Sequence, residues 1–220
     1  KEHTGWLRTM IIRTSTTGEV MVNITMGYDD EANRKLLFDA LLGNFPEITT
    51  LVYTVNPKWN DSIYDLTPQT YYGSGYITEK LEDFVFKISP KSFFQTNTKQ
   101  AEKLYQVTRA FAQLTGKETL YDLYCGTGSI GIFCSKGAQK IIGVETVAEA
   151  VEDAKVNAAL NNLSNTSFYA GDVIEICNDD FFTIHGKPDV IITDPPRAGM
   201  HEKLVKKLLD IAAPRIVYVS

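Results

Sequence analysis

The chain is 220 residues long and 44% apolar, and it carries 22 Lys and Arg against 27 Asp and Glu, a net charge of −5. That length and apolar content suit two modest domains rather than one domain of about 100 to 150 residues, and the acidic balance excludes a chain that grips phosphates by overall charge. No apolar stretch approaches the roughly 18 residues of a membrane span, and three unclustered cysteines lead us to expect a reduced, cytoplasmic, monomeric protein without a secretory segment.

In chain order, residues 7–13 and 19–25 alternate or run apolar around Thr16-Thr17-Gly18, which predicts a hairpin. Residues 31–42 have helical spacing, with Asp29 or Asp30 as the cap. Strands are predicted over 51–55, 71–77 and 84–88, and Pro90 then interrupts the pattern. We expect one domain over 1–90 and a second over 91–220, entered by a helix over 99–114.

In the second part, β-branched runs at 119–124, 140–144, 166–169, 189–193 and 215–219 recur roughly every 20 to 26 residues, with helical patterns between them. This rhythm predicts an α/β fold, a parallel sheet covered by helices on both faces. Ligands of such sheets sit beyond the carboxyl ends of the strands, where Tyr124, Glu145, Asp172 and Asp194 fall.

After the first strand, Gly126 and Gly128 let the backbone turn tightly and approach a ligand before a helix begins at Ser129. The loop lacks the Lys-Ser/Thr pair of triphosphate sites, so nucleotide hydrolysis is not expected. Glu145 lies 19 residues after Gly126 (145 − 126), at a strand end from which a carboxylate reaches both hydroxyls of a ribose. A dinucleotide and S-adenosylmethionine satisfy it equally. Asp194-Pro195-Pro196 makes a rigid turn of a kind typical of methyltransferases that act on nucleic-acid bases. Arg197 stands where enzymes methylating an exocyclic amine usually carry an aromatic residue, which points towards carbon. The bland alternatives are helix caps for Glu145 and Asp172 and a surface position for Arg197. Their recurrence at consecutive strand ends favours a site.

Six ordered motifs carry a more specific resemblance: SPKSFFQTNTKQAEKLY from Ser89, DLYCGTGSIGIF from Asp122, GVE from Gly143, NAALNNLSN from Asn157, GD at Gly171 and DPPRAGM from Asp194. Together they resemble the RNA uracil-5-methyltransferase family over about 6–220. The resemblance implies a Rossmann-like S-adenosylmethionine-dependent methyltransferase fold preceded by a small α+β domain. It implies that Gln95, Tyr124, Gly126, Gly128, Glu145 and Asp194 line the S-adenosylmethionine site, with Asp172 near the adenine. Ser129 joins this set at a position where several relatives carry Asn. Phe93, Asp194 and Arg197 are implied on the substrate side, Phe93 beside an extruded base; from the residues alone Phe93 would be assigned to core packing.

The implied chemistry adds a cysteine thiolate to uracil carbon 6, so that carbon 5 becomes nucleophilic enough to take a methyl group. In the family that cysteine follows a strand ending in Val-Ser, as Val219-Ser220 ends here. We therefore expect no catalytic residue within 1–220, the nucleophile immediately after Ser220, and a chain that binds cofactor without completing the reaction. Cys125, Cys134 and Cys177 read as buried structural thiols. His3, His185 and His201 form no metal pattern, and no iron–sulfur spacing occurs. The expected function is formation of 5-methyluridine in RNA, ribosomal RNA ahead of transfer RNA. The alternatives are a non-catalytic cofactor- or RNA-binding module and an amine-directed base methyltransferase. Arg8 with Arg13, Lys87 with Lys91, and Lys203 with Lys206 and Lys207 are local basic patches whose bland reading is a solvated face.

Overall fold

The computed structural model describes residues 5–197 and 199–220; His3, and Ala198 within the DPPRAGM motif, lie outside the described residues. The chain divides into two compact units, one up to Lys80 with Lys87–Ser92, the other Leu81–Phe86 with Phe93–Ser220.

The first unit holds β1 (Leu7–Thr14), β2 (Val20–Met26), α1 (Glu31–Asn44), β3 (Thr50–Val55) and β4 (Gln69–Tyr72). Its sheet runs β1-β2-β3-β4. β1 and β2 form the expected antiparallel hairpin, closing from Thr14 opposite Val20, whereas β2 and β3 are parallel and joined across α1. Asp30 caps α1, accepting from the Asn33 N–H at 3.1 Å. Phe38 of that helix is buried with Val22, Ile24, Met26, Leu51 and Tyr53. One expectation is corrected: residues 71–77 are not a strand. β4 ends at Tyr72 and β5 (Ile77–Leu81) starts anew. Between them Gly73 has φ +77°, and a Cβ there would lie 2.1 Å from the Thr49 carbonyl oxygen, so the chain turns at a place only glycine fits. β5 and β6 (Phe84–Ile88) then pair as a two-stranded ribbon.

The second unit contains α2 (Thr98–Ala112), β7 (Thr119–Leu123), α3 (Ser129–Cys134), β8 (Lys140–Glu145), α4 (Ala148–Leu160), β9 (Thr166–Ala170), α5 (Val173–Ile176), α6 (Asp179–His185), β10 (Val190–Thr193), α7 (Glu202–Ile211) and β11 (Arg215–Tyr218). The five strands form a wholly parallel sheet in the order β11-β10-β7-β8-β9. Successive residues of a strand face opposite sides, and the core divides accordingly. Leu120, Ile141, Val190 and Ile192 pack with residues of α2, α3 and α4. Tyr121, Leu123, Ile142, Val144 and Ile191 pack with residues of α5, α6 and α7. This is why the strands read as continuous apolar runs: both faces are covered. Among the described residues no helix is long and apolar enough to cross a membrane.

Candidate functional site

Strand order fixes where the site lies. From β7 the chain moves outward through β8 and β9, then returns to place β10 and β11 on the other side of β7. The order of connections therefore reverses at β7, and parallel sheets bind ligands outside the carboxyl ends of their strands at such a point. Leu123 pairs with Val144 on one side and Thr193 on the other. The next residues, Asp194, Tyr124 and Glu145, are thus brought together in one row over three adjacent strands. Three hydrogen bonds extend the pairing past the strand ends: Asp194 N–H to the Leu123 oxygen at 3.4 Å, Cys125 N–H to Val144 at 3.2 Å, and Gly171 N–H to Glu145 at 2.8 Å. Val219 N–H likewise donates to the Thr193 oxygen at 2.9 Å, so β11 carries the chain to Ser220 at the same edge.

The turn leaving β7 is built from left-handed backbone. Tyr124, Gly126 and Gly128 have φ of +61°, +52° and +78°. For Tyr124 this is uncommon for a residue with a side chain and marks a constrained position at the end of β7. At Gly128 a Cβ would meet the Phe168 ring at 2.9 Å and the Ala154 Cβ at 3.0 Å, so packing of α4 and β9 dictates the glycine. A Cβ on Gly126 would meet nothing within 4 Å, which leaves open space over this turn. Asn157, fully buried on α4, holds the turn from behind by donating to the Thr127 oxygen at 3.1 Å.

The acidic residues differ in their surroundings. Glu145 accepts from the Gly126 N–H at 3.1 Å, the Val147 N–H at 2.9 Å and the Thr146 hydroxyl at 3.0 Å, so it ties the glycine turn to the start of α4. Asp172 is exposed and accepts from the Ile174 N–H at 2.7 Å as the cap of α5. The capping reading thus describes a real bond for Asp172, whereas Glu145 bonds the N–H of Val147, which itself caps α4 without a side-chain bond. Asp194 is half-buried, and desolvation raises its pKa above the usual carboxylate value. Burial also raises the Tyr124 phenol, with the charges of Asp172 and Glu145 adding to the shift.

One carboxyl was not singled out by sequence reasoning. Asp122, inside β7, is completely buried beneath the turn. Its Oδ2 accepts from the Gly131 N–H at 2.8 Å, while Oδ1 has no hydrogen-bond partner among the described residues. Desolvation, reinforced by the charges of Asp194 and Glu145, pushes its pKa up to about 7. A charged residue within an apolar strand run was the available signal. Tyr105 of α2 was also missed; its hydroxyl lies 2.9 Å from the Ser129 hydroxyl at the start of α3.

Gln95 is half-buried on the segment before α2, and neither it nor Phe93 has a described bond to the strand-end row. Phe93 is 75% exposed, which corrects the core-packing assignment; its neighbour Phe94 packs inward against Phe86, with ring centroids 5.7 Å apart. Arg197 is exposed at the turn after Asp194. All three cysteines are free and buried, and burial raises their pKa values, Cys125 well above the ordinary value, Cys134 to about 12 and Cys177 to about 11. Such thiols are poor nucleophiles at neutral pH. Several basic residues serve local structure: Arg13 donates to the Ser92 oxygen at 2.8 Å, Lys91 to the Tyr64 oxygen at 2.7 Å, and Lys206 pairs with Glu202 at 2.7 Å. Among the described residues no group of three or more His, Cys, Asp or Glu is placed to hold a metal ion.

With this geometry in place, the similarities to known proteins are informative. The family described as tRNA (Uracil-5-)-methyltransferase matches residues 69–220. A protein of Porphyromonas gingivalis described as an uncharacterized RNA methyltransferase is 51% identical over 216 residues, which cover 98% of this chain and 46% of that protein. A Bacteroides thetaiotaomicron protein of the same description is 51% identical over 220 residues, covering 98% and 48%. The crystal structure of Pyrococcus abyssi tRNA (uracil-54, C5)-methyltransferase in complex with S-adenosyl-L-homocysteine superposes with a TM-score of 0.79 at 30% identity, over 97% of this chain and 50% of that one. A tRNA m1G37 methyltransferase of M. jannaschii, at 16% identity and a TM-score of 0.56 over 96% of this chain and 60% of that one, shares the fold alone. The parallel sheet and its flanking helices form the Rossmann-like fold of S-adenosylmethionine-dependent methyltransferases. The chain spans about half the length of the curated relatives it matches.

Proposed function

The chain belongs to the tRNA (uracil-5-)-methyltransferase family, and from that premise we propose that it forms the donor-binding part of an enzyme making 5-methyluridine in RNA with S-adenosylmethionine. The observation that carries this reading is the row of Asp194, Tyr124 and Glu145 beside the open face of the Gly126 turn. The donor is cationic at sulfur and at its amino group and carries two ribose hydroxyls. A crevice rich in acceptors, with the orphaned Asp122 Oδ1 beneath it, suits that set of groups. Glu145 would accept from the ribose, Asp172 would lie near the adenine, and Gln95, Tyr124 and Asp194 would complete the lining. Ser129 and the glycine turn would meet the amino-acid end. Phe93, already exposed, would stack on the target base, with Asp194 and Arg197 on the same side.

Bound there, the donor would supply an electrophilic methyl group. Carbon 5 of uracil is a poor nucleophile, so the proposed route adds a thiolate to carbon 6, and the electron pair thereby delivered to carbon 5 takes the methyl. A base then removes the carbon 5 proton and the carbon–sulfur bond to the enzyme breaks, restoring the ring. The buried thiols of Cys125, Cys134 and Cys177 do not suit this step. The nucleophile is proposed at the position following Ser220, where β11 delivers the chain beside the Asp194 turn. The proposed substrate is ribosomal RNA, and the proposed setting is a cytoplasmic monomer.

The test uses the full-length protein with labelled donor on ribosomal and transfer RNA transcripts, and on the same RNAs carrying 5-fluorouracil. We expect 5-methyluridine from the first and a covalent protein–RNA adduct from the second. Methylation of an amine, or turnover without an adduct, would overturn the carbon 5 route.

A further inference from the structure

Tyr105 is 3% exposed, and its ring packs edge-on against Phe133 at 5.7 Å, so the phenol has little freedom to move. Its hydroxyl meets the half-buried Ser129 hydroxyl at 2.9 Å. A phenol is a stronger hydrogen-bond donor than an alcohol, and burial together with the charges of Asp194 and Asp122 holds its proton, with a pKa pushed up to about 12. Either hydroxyl can donate in this contact; in one arrangement Tyr105 donates and Ser129 accepts. Ser129 then retains one proton of its own, and apart from the Tyr105 oxygen no acceptor for it lies within hydrogen-bond distance among the described residues. At the strand ends Asp194 and Glu145 offer acceptors; a hydroxyl proton at the start of α3 is the complementary feature.

We propose that Tyr105 is a positioning residue: by donating to Ser129 Oγ it turns the serine proton towards the crevice, where it is offered to the carboxylate of the methyl donor's amino-acid end. The inference rests on the donor site proposed above and names a residue outside that lining. Without the phenol oxygen the serine hydroxyl would rotate among its staggered positions, and the bond to the ligand would lose its preorganisation.

Calorimetry on the full-length protein tests this with two ligands, S-adenosylmethionine and 5′-methylthioadenosine, which lacks the amino-acid end. Tyr105→Phe should weaken S-adenosylmethionine about three- to tenfold and leave 5′-methylthioadenosine unchanged. Ser129→Ala should do the same, and the double variant should be no weaker than either single one. Ser129→Thr, which keeps the hydroxyl, should retain affinity. If Tyr105→Phe weakens both ligands alike, the phenol merely supports the turn; if it weakens neither, the serine needs no positioning. Either result overturns the proposal. Failure of the unsubstituted protein to bind either ligand would instead defeat the donor site itself.

Discussion

The carboxylate of Glu145 already holds the Gly126 and Val147 amides, so a ribose bound there must share or exchange those bonds. Removing the side chain should weaken donor binding by about an order of magnitude or more, since charge-assisted bonds are lost; an unchanged calorimetric affinity in Glu145→Ala would contradict the ribose role. Asp194→Ala should impair methyl transfer more than folding, and a variant that melts early yet keeps its turnover would contradict that. Asp122 predicts a pH effect of definite sign. Its folded pKa, about 7, lies above the ordinary 3.8, so the folded state holds the proton more tightly than the unfolded chain. The stability this contributes is complete below about pH 3.8 and is lost as pH rises to about 7. Asp122→Asn stays neutral, so its thermal midpoint relative to the parent should be higher at pH 8 than at pH 5. A difference independent of pH would show that the buried carboxyl does not titrate in this window. The strand-end positions of Glu145 and Asp172 were legible because each follows a recognisable strand, but local backbone bonds and the proposed ligand roles share one sequence signature. Tyr105 was illegible: that its hydroxyl meets Ser129 depends on how α2 packs against α3, which local pattern does not encode.

At the scale of elements, the parallel strands could be read because both faces are buried and the runs are therefore continuously apolar. The turn after β4 could not, since Tyr71-Tyr72 and Tyr76-Ile77 look like one strand until Gly73 is found pressed against the Thr49 oxygen. A short helix beside Cys177 was readable, but not that two occupy this interval; α6 is a seven-residue helix capped by Asn178, too short to display a helical period. The glycine turn offers a test of its own. Gly128→Ala combines a φ of +78° with contacts of 2.9 Å to Phe168 and 3.0 Å to Ala154. We expect it to cost about 1–3 kcal/mol of stability and to lower donor affinity, because the turn must shift. A urea midpoint equal to the parent's would show that the turn tolerates a side chain.

For the whole molecule, the fold of each unit follows from its own core, and family membership follows from similarity over 69–220 rather than from any single motif. The net charge of −5 bears differently on the two proposed ligands: strand-end carboxyls suit a cationic donor, whereas overall charge does not favour a polyanion such as RNA. The most direct measurement is a crystal structure of this protein with S-adenosyl-L-homocysteine, in which we predict the ribose within hydrogen-bond distance of Glu145 and the amino-acid end beside Gly126 and Ser129. A ligand bound away from the β7 turn, or a crevice left vacant at saturating ligand, would contradict it.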